Sequence, residues 1–151
     1  MLFRSPEVTK TGATLIDLWP KPHGTQREEV DTLGMERVQE MLAAAGATLR
    51  GIACYMKGPF NLAGEFALAK KLGAESPVLV TTAPGRGDAP PADLAAAIEE
   101  FIDTLRPSIA AAEEAGGVIA IENHSHSLLQ TPDGIRRFAD AVTSEIGRAH
   151  V

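Results

Sequence analysis

The chain has 151 residues, 44% of them hydrophobic, and a formal net charge of -6 at pH 7; it can bury one core, and nothing in it reads as disordered. An acidic balance argues against a nucleic acid as main partner, because such surfaces carry a basic face. No apolar run approaches the ~20 residues of a membrane helix, no secretory leader opens the chain, and the single Cys54 suits a reducing compartment such as the cytoplasm.

The two termini stand apart from the rest. Met1-Leu-Phe-Arg-Ser5 and Glu145-Ile-Gly-Arg-Ala-His150 can be encoded by opposite strands of one short DNA linker, of the kind ligated to fragments for sequencing. Residues 1–5 and 146–151 are therefore expected to be non-native, and residues 6–144 an internal piece of a longer protein whose own leader, if any, lies outside this chain.

Between them, strands and helices alternate. Ala13–Trp19 reads as a strand closed by Pro20-Lys-Pro-His-Gly24. A loop through Thr32 leads to a helix over Met35–Ala45, with Val38, Met41, Leu42 and Ala45 on one stripe and Gly46 as its stop. Leu49–Met56 is the second strand, broken by Lys57-Gly-Pro59. The second helix follows Asn61 as N-cap and turns Leu62, Phe66, Ala69 and Leu72 inward. Pro77–Thr82 is the third strand, and the loop after it, with Pro84-Gly-Arg-Gly-Asp88, lacks the third glycine of a dinucleotide fingerprint. A long helix over Ala92–Ala115 contains Pro107, which is expected to kink or divide it.

Gly117-Val-Ile-Ala-Ile-Glu-Asn-His124 is the fourth strand: a short apolar run ending in a carboxylate, an amide and an imidazole. Thr131 then caps a last helix with Pro132 at its first position. Strand starts roughly 30 to 40 residues apart match crossover units, and no tight hairpin turn supports antiparallel pairing. The fold class is α/β with parallel strands, either half of an eight-stranded barrel or most of an open doubly wound sheet; periodicity does not separate them.

In both architectures the loops after the strands' carboxyl ends carry the site. Those ends deliver Asp17, Trp19 and His23; Tyr55 and Lys57; Thr81, Thr82 and Arg86; and Glu122, Asn123, His124 and His126. Alternation turns Glu122 and His124 to one face. A carboxylate in line with an apolar strand needs a partner, so Glu122 is a metal ligand or general base, or else a structural group paired with Lys57 or Arg86. His124 and His126 are spaced to share a metal, although His-x-His alone is unspecific. Trp19 is core packing or a wall on which a sugar stacks.

The Glu122-Asn-His124 strand end, the helix start Thr131-Pro-Asp-Gly-Ile-Arg-Arg-Phe138, and the stretches Phe66–Ala74 and Ala111–Gly117 resemble the sugar phosphate isomerase/epimerase family, the xylose isomerase-like TIM barrels. The resemblance implies strands 2 to 5 of eight, with their helices. It further implies a divalent metal (Mn, Mg, Co or Zn) in the full-length parent, with Glu122 as the fifth-strand ligand and as a carboxylate that moves a proton through an enediolate. Asn123, His124, Trp19, Tyr55 and His23 would bind the substrate, a small sugar or sugar phosphate. Strand 1, the other metal ligands and a second carboxylate would lie outside the chain. The related endonucleases that act at abasic sites use histidines after the early strands, where this chain has Tyr55-Met56 and Thr81-Thr82; only His23 could serve there. A dehydratase acting on a cyclitol or keto-sugar, a non-catalytic carbohydrate-binding barrel and an inert fragment are the competing readings. No nucleic-acid or membrane partner is expected, self-association is compatible with the full-length protein, and this piece alone is expected to be inactive.

Overall fold

The structure, a computed structural model, describes Val8, residues 10–85 and residues 92–142. Both linker-like termini and Arg86 lie outside the described residues. Strands β1 (Leu15–Leu18), β2 (Thr48–Ala53), β3 (Val78–Thr82) and β4 (Val118–Glu122) form one parallel sheet in the order β1-β2-β3-β4. Helices α1 (Gln26–Leu33) and α2 (Met35–Ala44) join β1 to β2, α3 (Ala63–Lys71) joins β2 to β3, α4 (Leu94–Ala115) joins β3 to β4, and α5 (Pro132–Ala141) follows β4. An open doubly wound sheet reverses its strand order at a switch point, whereas strands that follow one another in chain order build a barrel wall. The sheet is therefore part of a TIM barrel.

One face of the sheet is covered by helices. Leu49, Ile52, Leu79 and Ile119 are buried in one cluster with Val38 and Leu42 of α2, Phe66 and Ala69 of α3, and Ile98, Phe101, Ile102 and Leu105 of α4. Leu49 and Ile52 are three apart, yet both are buried, because the register slips at Arg50: Ile16 pairs with Leu49 and Asp17 with Gly51. Phe101 stacks on Phe138 of α5 at 5.4 Å and meets Phe60 edge-on at 5.9 Å. The other face is the barrel's inner side. There Val78, Val80, Val118 and Ala120 are half-buried, and Leu15 is 58% exposed.

Strand β4 owes its placement to two glycines. Gly116 takes the left-handed conformation (φ 61°) that ends α4, and a Cβ on Gly117 would fall 2.7 Å from both Phe66 Cε1 and the Pro77 carbonyl. The chain can therefore pass directly from α4 into the sheet.

Several expectations are corrected. The stretch expected as loop through Thr32 contains α1, whose single buried residue, Val30, leaves almost no apolar period to read. Asn61 does not cap α3; it has φ 57°, Leu62 stands at the cap, and no side chain caps that end. Pro107 does not divide α4, which runs unbroken over 22 residues. Pro107 and Asp103 are exposed, so the carbonyl left without its donor lies where water can serve it. The strands are also shorter than expected, since the polar ends beyond Leu18, Ala53 and Glu122 turn into loops. The Thr131 cap holds as expected, its hydroxyl accepting from Gly134 N at 3.2 Å. Among the described residues no helix is long and apolar enough to cross a membrane.

Candidate active site at the carboxyl ends of the strands

Parallel pairing brings the strand ends to one rim. Thr82 lies beside Glu122 at the end of the β3–β4 ladder. Tyr55 follows β2 by two residues, and its hydroxyl donates to Glu122 Oε2 at 2.6 Å. Trp19 follows β1 directly, with its ring 5.6 Å from that of Tyr55 at an interplanar angle of 43° and edge-on to His23 at 6.2 Å. Trp19, His23, Tyr55, Thr82, Glu122 and His124 line one cavity of about 490 Å³.

Local chemistry holds these groups in place. Gly24 N donates to the Pro20 carbonyl at 3.0 Å and closes the turn that returns His23 to the indole. The N–H groups of Lys57 and Gly58 both donate to the Cys54 carbonyl, at 3.1 and 2.8 Å, and so set the turn that carries Tyr55. Ser127 Oγ donates to the His124 carbonyl at 2.7 Å, and His124 Nδ1 lies 2.8 Å from the Ser125 carbonyl, as a donor in the tautomer protonated there.

Burial pushes the Tyr55 phenol up to about 12, helped by its hydrogen bond to Glu122 and the charges of Glu122 and Asp17. Tyr55 is thus a proton donor throughout the physiological range. It fixes one oxygen of the Glu122 carboxylate at the cavity wall.

Five of the residues expected in the site therefore meet: Trp19, His23, Tyr55, Glu122 and His124. Asn123 is exposed and outside the lining, as is His126, which occupies a turn at φ 64°. Thr82, also expected at a strand end, joins them in the lining, whereas Thr81 is fully buried on the other face of β3. The partner suggested for Glu122, Lys57, instead reaches Glu65 Oε1 at 3.2 Å. No three His, Cys, Asp or Glu side chains among the described residues are grouped to hold a metal ion. Glu122 can supply one carboxylate ligand, and the described residues do not complete a metal site.

The profile of the xylose isomerase-like TIM barrel family matches residues 6–147. The chain belongs to this family. The xylose isomerase-like TIM barrels include sugar isomerases and epimerases. Solved structures with the same fold include the IolI protein with a bound zinc atom (14% identity, TM-score 0.68, covering 94% of this chain and 54% of that one). Another is a xylose isomerase domain protein from Alicyclobacillus acidocaldarius subsp. acidocaldarius (16% identity, TM-score 0.67, 96% and 56%). A third is a xylose isomerase-like TIM barrel protein from Mycobacterium smegmatis in complex with magnesium (17% identity, TM-score 0.68, 94% and 52%). The chain spans about half the length of these structures. No curated protein sequence matches it.

Proposed function

We propose that this chain is one half of the barrel of a sugar isomerase or epimerase, and that Glu122 carries the proton between carbons of a keto-sugar. The observation that supports this most is the Tyr55–Glu122 pair at the strand ends, 2.6 Å apart in a cavity walled by Trp19 and His23. With Tyr55 on Oε2, the second oxygen, Oε1, is the one to take a proton from the carbon next to a carbonyl and return it to the neighbouring carbon or to the opposite face. General acid–base help of this kind is worth about 10²- to 10⁴-fold. The indole of Trp19 offers a flat apolar surface to the C–H face of a small sugar or sugar phosphate, while Thr82, His23 and His124 offer hydrogen bonds to its hydroxyls.

A divalent metal in the complete barrel would take Glu122 as one ligand and the rest from strands outside this chain. Such an ion supplies polarisation of a carbonyl oxygen. The zinc and magnesium found with two of the similar structures support this part of the reading. The identity of the ion and any self-association of the complete protein belong to the same proposal.

Solvent deuterium exchange tests the proposal. The chain joined to a complementary half barrel of the same family should place deuterium from D2O on the carbon beside the carbonyl of a keto-sugar. Glu122→Gln should slow this by about 10²-fold or more. Exchange that persists undiminished in the Glu122→Gln protein would remove Glu122 from the mechanism.

A further inference from the structure

Next to the segments that carry Trp19 and Tyr55, side chains from α1, α3 and the turn after β2 meet. Arg27 of α1 reaches both oxygens of Glu65 in the first turn of α3, Nε to Oε2 at 2.8 Å and Nη2 to Oε1 at 3.4 Å. Lys57, in the turn after β2, shares Oε1 at 3.2 Å. The Glu65 side chain is only 12% exposed. Each cation is fastened to a segment that carries one wall of the cavity. Arg27 N donates to the Trp19 carbonyl at 3.3 Å, and Lys57 lies in the Cys54–Gly58 turn that carries Tyr55.

Arg27 Nη1 also meets Asp31 Oδ2 one turn further along α1, at 3.0 Å. The ion pairs within α2, α4 and α5 differ in kind. Arg37–Glu40, Asp103–Arg106 and Asp133–Arg137 each join residues three or four apart on one helix, with both side chains more than half exposed. Pairs like these contribute little. The Glu65 pairs join separate elements, and the Arg27 pair, with side chains 22% and 12% exposed, is the better shielded from screening, so they constrain where those elements sit. Burial works to raise the Glu65 pKa, but the hydrogen bonds and charges of Arg27 and Lys57 outweigh it and leave Glu65 ionised.

We infer that Glu65 is a positioning residue which, through Arg27 and Lys57, sets the spacing of Trp19 and Tyr55 and hence the width of the cavity. Only its relevance to catalysis rests on the function proposed above; the positioning itself is read without substrate or metal.

Trp19 and Tyr55 are the chain's only tryptophan and tyrosine, so the long-wavelength part of the near-ultraviolet circular dichroism, where phenylalanine does not absorb, and the quenching of Trp19 by acrylamide report on this wall. Glu65→Gln is expected to weaken the Tyr–Trp dichroism and raise the quenching constant about twofold, at temperatures where the far-ultraviolet spectrum is unchanged. Lys57→Gln, at a position 41% exposed, is expected to act in the same direction with a smaller shift. Arg37→Gln, on the surface of α2, should change neither signal. Should Glu65→Gln fail to fold, Lys57→Gln decides the question. Folded variants whose aromatic signals match the unsubstituted chain would overturn the inference. Loss of fold in both would overturn it as well, by making the cluster a general support of the scaffold.

Discussion

Glu122 ends an apolar strand as an exposed residue, and its carboxylate accepts from the Tyr55 hydroxyl. Strand direction and the two-residue period sufficed to bring Glu122, His124, Trp19 and Tyr55 to one rim, because both follow from backbone geometry. The choice of partner was not legible. Lys57 is close to Tyr55 in sequence but turns to Glu65, a preference that exists only once α3 packs beside β2. Cys54, next to Tyr55, carries the opposite kind of prediction. Burial, with the Glu65 charge second, pushes its thiol up to about 12, so almost no thiolate is present at pH 8. A disulfide reagent should modify the folded chain at least about tenfold more slowly than the chain in denaturant; equal rates would mean that this turn is open.

At the scale of elements, periodicity found four strands and the four helices with apolar stripes, and missed α1, which buries only Val30. The acidic pair Glu28-Glu29 in its first turn was the available signal, since negative charge suits a helix start. Asn61 misled because asparagine serves both as N-cap and as a residue tolerant of positive φ, and here it does the second. Thr131→Ala should cost about 1 kcal/mol through the lost cap on α5. Phe138→Ala should cost about 3 to 5 kcal/mol, since Phe138 is 1% exposed and stacked on Phe101. Chemical denaturation of both variants checks the ranking: a cap variant as damaging as the core variant would contradict the account of how α5 is held. Gly117→Ala, with no room for a Cβ beside Phe66 and Pro77, should cost about 1 to 3 kcal/mol by the same measurement.

Across the whole molecule, the alternation of elements was legible but the choice between barrel and open sheet was not, because strand order is a property of tertiary pairing. The described half leaves its inner face without a covering layer: Val78, Val80, Val118 and Ala120 are half-buried, and β1 and β4 are edge strands. The isolated chain is accordingly expected to bind a hydrophobic dye and to sediment as a concentration-dependent mixture; a monomer that binds no dye would contradict this. The central claim is that the strand ends converge on Tyr55 and Glu122, and titration of the lone tyrosine tests it most directly. The folded value, raised to about 12, lies above the ordinary value near 10. Protonated Tyr55 therefore stabilises the fold at lower pH, a contribution that fades as pH rises from about 10 to about 12. Absorbance titration should place the midpoint near 12 in the folded chain, and Glu122→Gln should lower it, with burial keeping part of the shift. An ordinary midpoint in the folded chain, or one that Glu122→Gln leaves unmoved, would contradict the site.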